Sequence, residues 1–434
     1  MHEALGDAPG HGPAEPAGVG FAAGGRDAAV RPVLFVTNHA PPFRVPSFAA
    51  LHEREDVVFA LVGGALRHGG GEGARASPFP VVRPPQRGVA RLAASGRFRA
   101  VIAGLSGRVA LPGAYAGARA ARVPFVLWAT IWRHPRTAAH ALSYLPLRHL
   151  YRRADAIATY GPHVSAYLRA AGPRGTVVEA PQAADVVFWS APAPAPRRTA
   201  PFQALFAGRL EREKGVEILL EAWRAAGIDG TLVLCGDGPL RPAGAVAPGA
   251  LDPVELRNYY AGSDVVVVPS VPTRDFLEPW GMVVNEAFHQ GVPVIASTAV
   301  GAVAGGLVAH ERTGLVVPAG DAAALAGALR RLHAEPRLRA RLGAAARGAA
   351  AAYTPDAWAA GMSRALAAVG ASRGRPAAAG APAGSEAAAA AAAETAAGAP
   401  GGSPGAAAPE SAAGSPAPDG PQGSQAHGRP GGGC

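Results

Sequence analysis

Short runs of apolar residues alternate with segments of helical periodicity between residues 31 and 190. The runs VLFV (33–36), VVFALV (57–62) and VIAG (101–104) are four to six residues long and contain no polar positions. Runs of this length without alternation are typical of strands that are buried on both faces. Buried strands separated by helices indicate a parallel sheet with right-handed crossovers, so the pattern predicts an α/β domain over residues 31–190.

The same alternation restarts after a proline-rich interruption. Residues 191–200, APAPAPRRTA, predict a stiff linker. Apolar runs such as TLVLC (231–235), VVVV (265–268) and VPVIAS (292–297) then predict a second α/β domain over residues 201–352, followed by a terminal helix over 353–370. Two such domains in series place a ligand in the cleft between them, near the carboxyl ends of the strands.

The two ends of the chain lack any apolar periodicity. Residues 1–30 are small and polar, and residues 371–434 consist mainly of Ala, Gly, Pro and Ser. Such segments bury too little apolar surface to offset the entropy lost on ordering. We therefore expect a disordered N-terminal extension and a disordered tail.

The positive charge of the chain is unevenly distributed. Residues 31–200 contain 22 arginines and 7 acidic residues, whereas residues 201–370 contain 15 basic and 16 acidic residues. This asymmetry favours an anionic surface or acceptor as the partner of the first half, and no nucleic acid is expected. The segment 133–153 mixes five arginines with Leu and Tyr at near-helical spacing. It could rest on an anionic membrane, or it could be an ordinary amphipathic helix packed on the sheet.

Several classes of protein are disfavoured by missing motifs. No run reaches 18 consecutive apolar residues, the N-terminus lacks a signal-peptide pattern, and there are only two cysteines, so we expect a cytoplasmic protein. The chain has no phosphate-binding loop of the G-x-x-x-x-G-K-[ST] type, no D-x-D pair and no zinc spacing, so no metal or cofactor is expected. GDGPLR (236–241) departs from the dinucleotide fingerprint; Gly236 begins either a loop near a phosphate or base, or a plain turn.

Two glutamates with seven residues between them stand out in FLEPWGMVVNEAF (276–288). Proline and glycine after Glu278 place it in a loop, and Glu286 then lies about one and a half turns into the following helix. The start of that helix could bind an anion through free N–H groups and the helix dipole. The N–H groups concerned belong to Trp280, Gly281, Met282 and Val283. The alternative is a pair of solvated glutamates near a helix start.

The segment GRLEREKG (208–215) supplies positive charge after a strand. It contains Arg209 and Lys214, and Lys214 is the only lysine in the 434 residues. Together these two side chains could neutralise a diphosphate. A lysine is a compact point charge, which suits a crowded phosphate site. The alternative for each is a surface ion pair with a neighbouring glutamate.

The order of these motifs resembles the retaining glycosyltransferases of family 4. The motifs are GRLEREKG, GDGP, SDVVVVPS, EPWGMVVNEAF, GVPVIAS and TGLVVPAGD, with weaker similarity in PPFRVPSF and RRADAIATYG. The resemblance covers about residues 32–368. It implies the GT-B fold, which has two Rossmann-like, doubly wound parallel-sheet domains facing across a cleft. It also implies that the terminal helix packs back on the first domain.

The resemblance implies roles for individual residues. Arg209 and Lys214 would bind the donor diphosphate, Glu278 the hydroxyls of the donor sugar, and Glu286 the ribose. The amides of residues 280–283 would contact phosphate and sugar, and no metal would be needed.

On the first domain, the resemblance implies a histidine near the reacting sugar. His134 is the candidate for this catalytic role, a structural role is equally compatible, and His39 is a weaker candidate. Arg44 is assigned to the acceptor side.

The expected function is therefore transfer of a sugar, with retention, from a nucleotide-diphospho-sugar to an acceptor hydroxyl. The acceptor would be a glycan or a lipid-linked precursor, in polysaccharide, glycolipid or cell-envelope glycan biosynthesis. The protein would work in the cytoplasm, peripherally on the inner face of the plasma membrane. Two alternatives stay open: a nucleotide-sugar epimerase or hydrolase of the same fold, and a non-catalytic protein that binds nucleotide-sugars or a membrane surface.

Overall fold

The computed structural model describes residues 31–63, 77–105, 107–240 and 243–373. The predicted extension 1–30 and residues 374–434 of the predicted tail lie outside these ranges. Within these ranges, no helix combines the length and the apolar character needed to cross a membrane.

The first sheet contains seven parallel strands in the order β3-β2-β1-β4-β5-β6-β7. Its strands are β1 (Val33–Thr37), β2 (Val57–Leu61), β3 (Val81–Val82), β4 (Ala100–Gly104), β5 (Phe125–Ala129), β6 (Ala156–Thr159) and β7 (Thr176–Glu179). Its helices are α1 (Val45–Glu55), α2 (Val89–Ala93), α3 (Ala110–Ala120), α4 (Ala138–Arg153), α5 (Pro162–Arg169) and α6 (Val186–Ser190). Every residue of β1, β2, β4, β5 and β6 is buried, in agreement with sequences that are apolar apart from Thr37 and Thr159.

The second sheet contains six parallel strands in the order β10-β9-β8-β11-β12-β13. Its strands are β8 (Gln203–Ala207), β9 (Thr231–Cys235), β10 (Val246–Gly249), β11 (Val265–Val268), β12 (Val294–Ser297) and β13 (Gly314–Val317). The remaining helices are α7 (Val216–Ala226), α8 (Pro253–Ala261), α9 (Met282–His289), α10 (Gly301–Ala304), α11 (Ala322–Ala334), α12 (Pro336–Ala350) and α13 (Pro355–Ala367). We call the first sheet with α1–α6 and α13 the first lobe, and the second sheet with α7–α12 the second lobe.

Both sheets are doubly wound, which confirms the predicted fold class. The strand order reverses beside β1 in the first sheet and beside β8 in the second. In open parallel sheets, ligands bind at the carboxyl ends of the strands beside such a switch point. The loop that follows β8 contains Arg209 and Lys214, and the loop that follows β11 contains Glu278.

The connection between the lobes lies against the second lobe. Within residues 191–200, the Arg197 amide donates to the Asn258 carbonyl at 2.9 Å, and Arg198 forms an ion pair with Asp264 at 2.8 Å.

The last helix, α13, packs on α1 and on the β6–β7 edge of the first sheet. Trp358 of α13 is fully buried, and its ring centroid lies 5.7 Å from that of Phe48 and 5.6 Å from that of Trp128. In residues 371–373, which the sequence assigned to the tail, the Arg373 amide donates to Glu55 of α1 at 3.0 Å.

Candidate active site

Lys214 and Glu278 meet at the edge of the second sheet. Lys214 ends a 3-10 turn (Arg212–Lys214) between β8 and α7, and Glu278 lies in the loop between β11 and α9. The Lys214 Nζ atom is 2.5 Å from Glu278 Oε2, and the Ser270 hydroxyl donates to the same oxygen at 3.1 Å. Glu278 is 7% exposed. The two motifs, 64 residues apart in the sequence, therefore form one charged cluster.

Gly215 allows the two loops to approach each other this closely. Its φ is +71°, and a Cβ atom at this position would lie 2.0 Å from the Pro269 carbonyl oxygen. Only glycine adopts this conformation in this space without displacing backbone. The Val271 amide also donates to the Glu213 carbonyl at 2.9 Å. The turn that carries Lys214 is thus held directly against the end of β11.

Arg209 is paired with acidic neighbours from its own loop. Its guanidinium forms ion pairs with Glu211 and with Glu213, the latter at 3.2 Å. Burial and the neighbouring Glu211 raise the pKa of Glu213, whereas hydrogen bonds from Glu213 and Arg209 lower the pKa of Glu211. Arg209 is therefore engaged by two acidic side chains of its own loop.

Glu286 lies inside α9 and faces α8. It accepts a hydrogen bond from the Tyr260 hydroxyl at 2.7 Å. Burial raises the pKa of Glu286 to about 7, although this hydrogen bond acts in the opposite direction. Glu278 and Glu286 are thus distinct in character: Glu278 is paired with a cation, and Glu286 is paired with a neutral hydroxyl.

The N-terminus of α9 follows directly after Glu278. The helix begins at Met282, so the amides of Met282 and Val283 lie in its first turn, where N–H groups have no partner within the helix. The Trp280 side chain is only 2% exposed, and its Nε1 donates to Asn285 at 2.7 Å. Since its indole is buried, Trp280 can reach a ligand in this arrangement only through its backbone.

Gly236 lies at the end of β9 beside the Arg209 loop. Its amide donates to the Gly249 carbonyl at 2.8 Å, and a Cβ atom here would lie 1.9 Å from the Gly208 carbonyl oxygen. Gly236 therefore brings the loops after β8 and β9 together, and its N–H group is already used.

The two histidines predicted as site residues of the first lobe, His134 and His39, lie in different loops. His134 lies in the loop after β5, half-buried, with its ring centroid 4.8 Å from that of Tyr144 in α4. His39 lies in the loop after β1 and packs against Gly63 at the end of β2.

Arg44 is buried at the carboxyl edge of the first sheet. It is 5% exposed, its guanidinium donates to the Tyr160 hydroxyl, and its carbon Cζ lies 4.9 Å from the centre of the Trp128 ring. Its Nη1 atom is buried without a hydrogen-bond partner among the described residues. Burial lowers the pKa of Arg44, and the interaction of the guanidinium with the Tyr160 hydroxyl acts in the opposite direction.

Sequence reasoning missed three first-lobe residues that reach the Glu278 loop. Trp132 and Arg133 follow β5, and His163 lies in the first turn of α5. All three donate hydrogen bonds to backbone carbonyls of residues 273–279. The only signal in the sequence was that Trp132 and Arg133 follow a predicted strand. Backbone acceptors leave no residue-type pattern that would mark their partners.

The second lobe matches a known protein family. Residues 201–335 match the family model described as Glycosyl transferases group 1. Over 164 residues the chain is 35% identical to the D-inositol 3-phosphate glycosyltransferase of Pseudarthrobacter chlorophenolicus, covering 33% of this chain and 37% of that protein. Over 180 residues it is 33% identical to the glycogen synthase of Mycobacterium tuberculosis, covering 38% and 41% of the two chains. The matches thus span less than half the length of these relatives.

The described fold also matches a solved structure. The crystal structure of Anabaena HepE in complex with UDP and glucose superposes with a TM-score of 0.61 at 18% identity, covering 78% of this chain and all of that chain. The second lobe therefore contains a segment similar to the glycosyl transferases of group 1, and the chain has the GT-B fold.

Proposed function

We propose that this protein is a glycosyltransferase that moves a sugar from a nucleotide-diphospho-sugar to an acceptor hydroxyl, with retention of configuration. The observation that carries the proposal is the cluster of Lys214 and Glu278 beside the first turn of α9, at the carboxyl edge of the second sheet. A cation, a buried carboxylate and the first-turn amides of a helix in one place suit a sugar diphosphate. The similarity of this lobe to the group 1 family and the GT-B fold support the same conclusion.

The diphosphate is the leaving group in this proposal. Lys214, Arg209 and the amides of Met282 and Val283 would stabilise its developing charge. Binding would require Lys214 to exchange its bond with Glu278 for a phosphate oxygen, and Arg209 to release its own glutamates.

The sugar and the ribose each need a hydrogen-bond acceptor. Glu278, freed from Lys214, would accept hydroxyls of the donor sugar, and Glu286 would accept those of the ribose. The acceptor hydroxyl would attack on the face that the diphosphate leaves, with no covalent sugar–protein intermediate, and no metal would be required. His134, on the first lobe, is the side chain that we assign next to the reacting sugar.

A uridine diphosphate sugar is the donor class that we propose to test first. Solved structures of Anabaena HepE are described as complexes with UDP and with UDP-glucose. In this chain Gly236 brings the loops after β8 and β9 together at the same end of the sheet as Glu286. That end is where we place the base and the ribose.

For the acceptor, a glycan or lipid-linked precursor is proposed, bound on the first lobe near Arg44. An anionic group of the acceptor would supply the partner that the buried Nη1 atom of Arg44 lacks among the described residues. A buried guanidinium gains more from such a partner than an exposed one, since less water competes.

The membrane contact is proposed for α4. Leu142 and Leu145 of this helix are 83% and 71% exposed, and they share the helix with the exposed Arg148 and Arg152. Exposed apolar residues among arginines are typical of helices that rest on anionic lipid, at about 1 kcal/mol per basic residue near the surface. Cosedimentation with phosphatidylserine vesicles should fall in Arg148→Glu and should not change in Arg337→Glu, an exposed arginine of α12; equal behaviour would argue against the surface.

The donor assignment is tested by calorimetric titration of the full chain with UDP, GDP and several of their sugars, with and without EDTA. We expect binding of one nucleotide series without metal, and product formation when glycan acceptors are added. Glu278→Gln should abolish transfer, whereas Glu217→Gln, an exposed carboxylate on α7, should retain it. Turnover of donor without any acceptor would favour an epimerase or hydrolase. Binding without turnover in the presence of acceptor-rich cell extract would favour a non-catalytic binding protein.

A further inference from the structure

Five hydrogen bonds run from the first lobe to one short stretch of the second. Each acceptor is a backbone carbonyl within residues 273–279, the loop that carries Glu278. The bonds are Arg133 to Thr273 at 2.6 Å and to Phe276 at 2.5 Å, the Arg136 amide to Arg274 at 2.6 Å, Trp132 Nε1 to Glu278 at 3.0 Å, and His163 Nε2 to Pro279 at 3.2 Å. We call the side chains of Trp132, Arg133 and His163 the clasp.

The carbonyl of Glu278 is held from both sides. It accepts from Trp132 of the first lobe at 3.0 Å and from the Gly301 amide of its own lobe at 3.1 Å. The carbonyl of the next residue, Pro279, accepts from His163. The carbonyls of Glu278 and Pro279 lie on either side of the Pro279 Cα atom, directly after Glu278. The first lobe therefore fixes the backbone on the C-terminal side of Glu278, and this backbone orients the Glu278 side chain.

His163 is the buried member of the clasp, and its desolvation strengthens its hydrogen bond. The His163 ring lies between Trp132 and Trp280, with centroids 5.3 Å and 5.8 Å away. Burial lowers the pKa of His163 to about 4, so the ring is neutral near pH 7. A carbonyl only accepts, so Nε2 carries the proton of the neutral ring.

The nucleotide-binding groups, in contrast, lie within the second lobe. Arg209, Lys214 and Glu286 are all placed by contacts inside that lobe, with Glu211, Pro269 and Tyr260 as examples of their neighbours. The side chains assigned to the diphosphate and the ribose thus have hydrogen-bond or ion-pair partners within the second lobe, whereas the backbone of Glu278 is bonded directly from the first lobe.

We propose that Trp132, Arg133 and His163 are positioning residues that hold Glu278 for the donor sugar, so that the sugar is recognised only while the lobes are in contact. This inference rests on the proposed function, in which Glu278 accepts sugar hydroxyls. It separates two parts of donor recognition: the second lobe alone binds the nucleotide diphosphate, and the clasp adds recognition of the sugar.

The test compares UDP with three UDP-sugars (UDP-glucose, UDP-galactose and UDP-N-acetylglucosamine) by calorimetric titration of the full chain. Trp132→Phe keeps a ring but removes the N–H group. One hydrogen bond contributes about 0.5–1.5 kcal/mol, so the affinity for the best UDP-sugar should fall about threefold to tenfold. The affinity for UDP should change by less than about twofold, because the clasp hydrogen bonds seen among the described residues end on carbonyls of residues 273–279 and not on Arg209, Lys214 or Glu286.

His163 provides a rescue test. His163→Phe removes the donor and should weaken binding of the UDP-sugar like Trp132→Phe, whereas His163→Gln places an N–H group near the position of Nε2 and should restore part of it. The matched control is Trp223→Phe, which changes a half-buried tryptophan of α7 on the far side of the second lobe. Hydrogen–deuterium exchange of residues 273–283 should become faster in Trp132→Phe and remain unchanged in Trp223→Phe.

Four results would overturn the proposed role of the clasp. They are equal losses of UDP and UDP-sugar affinity in Trp132→Phe, no loss of either, a wild-type protein that binds no UDP-sugar better than UDP, and unchanged exchange of residues 273–283. If Trp132→Phe does not fold, Arg133→Met applies the same test, because it keeps a long side chain and removes the Nη2 atom that donates to both carbonyls. A wild-type protein that binds neither UDP nor any UDP-sugar would instead contradict the proposed donor class, which the titration of wild type reveals before any variant is made.

Discussion

The raised pKa of Glu286 makes the stability of the protein depend on pH in a defined direction. The folded-state pKa is about 7, above the ordinary value of 4.5, because the carboxyl group is buried against Tyr260. Between these two values the folded state holds a proton that the unfolded state releases. Stability contributed by the neutral carboxyl is therefore fully present below about pH 4.5 and is lost as the pH rises through 7.

The size of the effect follows from the two pKa values. A tenfold change in a protonation equilibrium corresponds to about 1.4 kcal/mol, so full titration from pH 5 to pH 8 would cost about 2.5 kcal/mol. Glu286 retains some contact with solvent, so we expect about 1–2 kcal/mol. Glu286→Gln cannot ionise but keeps an oxygen that accepts from Tyr260. The free energy of unfolding of the variant, relative to that of wild type, should therefore be higher at pH 8 than at pH 5 by this amount.

Urea denaturation at both pH values measures the difference. Glu217→Gln, which changes an exposed carboxylate on α7, is the matched control and should show a difference from wild type that is small at both pH values. A Glu286→Gln variant whose difference from wild type is the same at pH 5 and pH 8 would refute the reasoning. It would mean that Glu286 ionises in the folded state as easily as in the unfolded state.

Two further predictions concern the Lys214 site and the terminal helix. Lys214→Arg keeps the charge but enlarges the head group next to Glu278. We therefore expect weaker UDP-sugar binding by calorimetry, with an unfolding midpoint close to that of wild type. Equal affinity would mean that the ammonium is not required. Trp358→Ala removes a fully buried indole from the interface of α13 with the first sheet. Urea denaturation should therefore show that the free energy of unfolding falls by about 3–5 kcal/mol. A decrease below about 1 kcal/mol would show that this helix contributes little to the stability of the fold.

The central strands could be predicted from the sequence because they are buried on both faces. The runs that form β1, β2 and β11 contain only apolar residues apart from Thr37, and their short length and many β-branched residues favour strands over helices. The edge strands β3 and β10 were missed for the opposite reason. β3 has two residues, and β10 is exposed and contains Pro248, so neither carries an apolar pattern.

The parts of the site that depend only on neighbouring residues in the sequence could be predicted. The position of Glu278 before a helix, and of Lys214 after a strand, follows from the proline, glycine and apolar residues around them. The direct contact between the two did not follow from spacing. It depends on Gly215 lying against Pro269, an approach of two backbones that only the folded sheet brings together.

The hydrogen bonds from the first lobe to the Glu278 loop could not be predicted from the sequence, and the reason is physical. A side chain that binds another side chain requires a complementary residue type, and such pairs can be guessed from the sequence. The clasp instead binds carbonyl oxygens, which every residue of the loop presents, so nothing in residues 273–279 indicates that Trp132 and His163 would meet them. The same property makes the clasp independent of the side chains that face the ligand. Substitutions around Glu278 could change which sugar is accepted while the first lobe continued to hold the loop by its backbone.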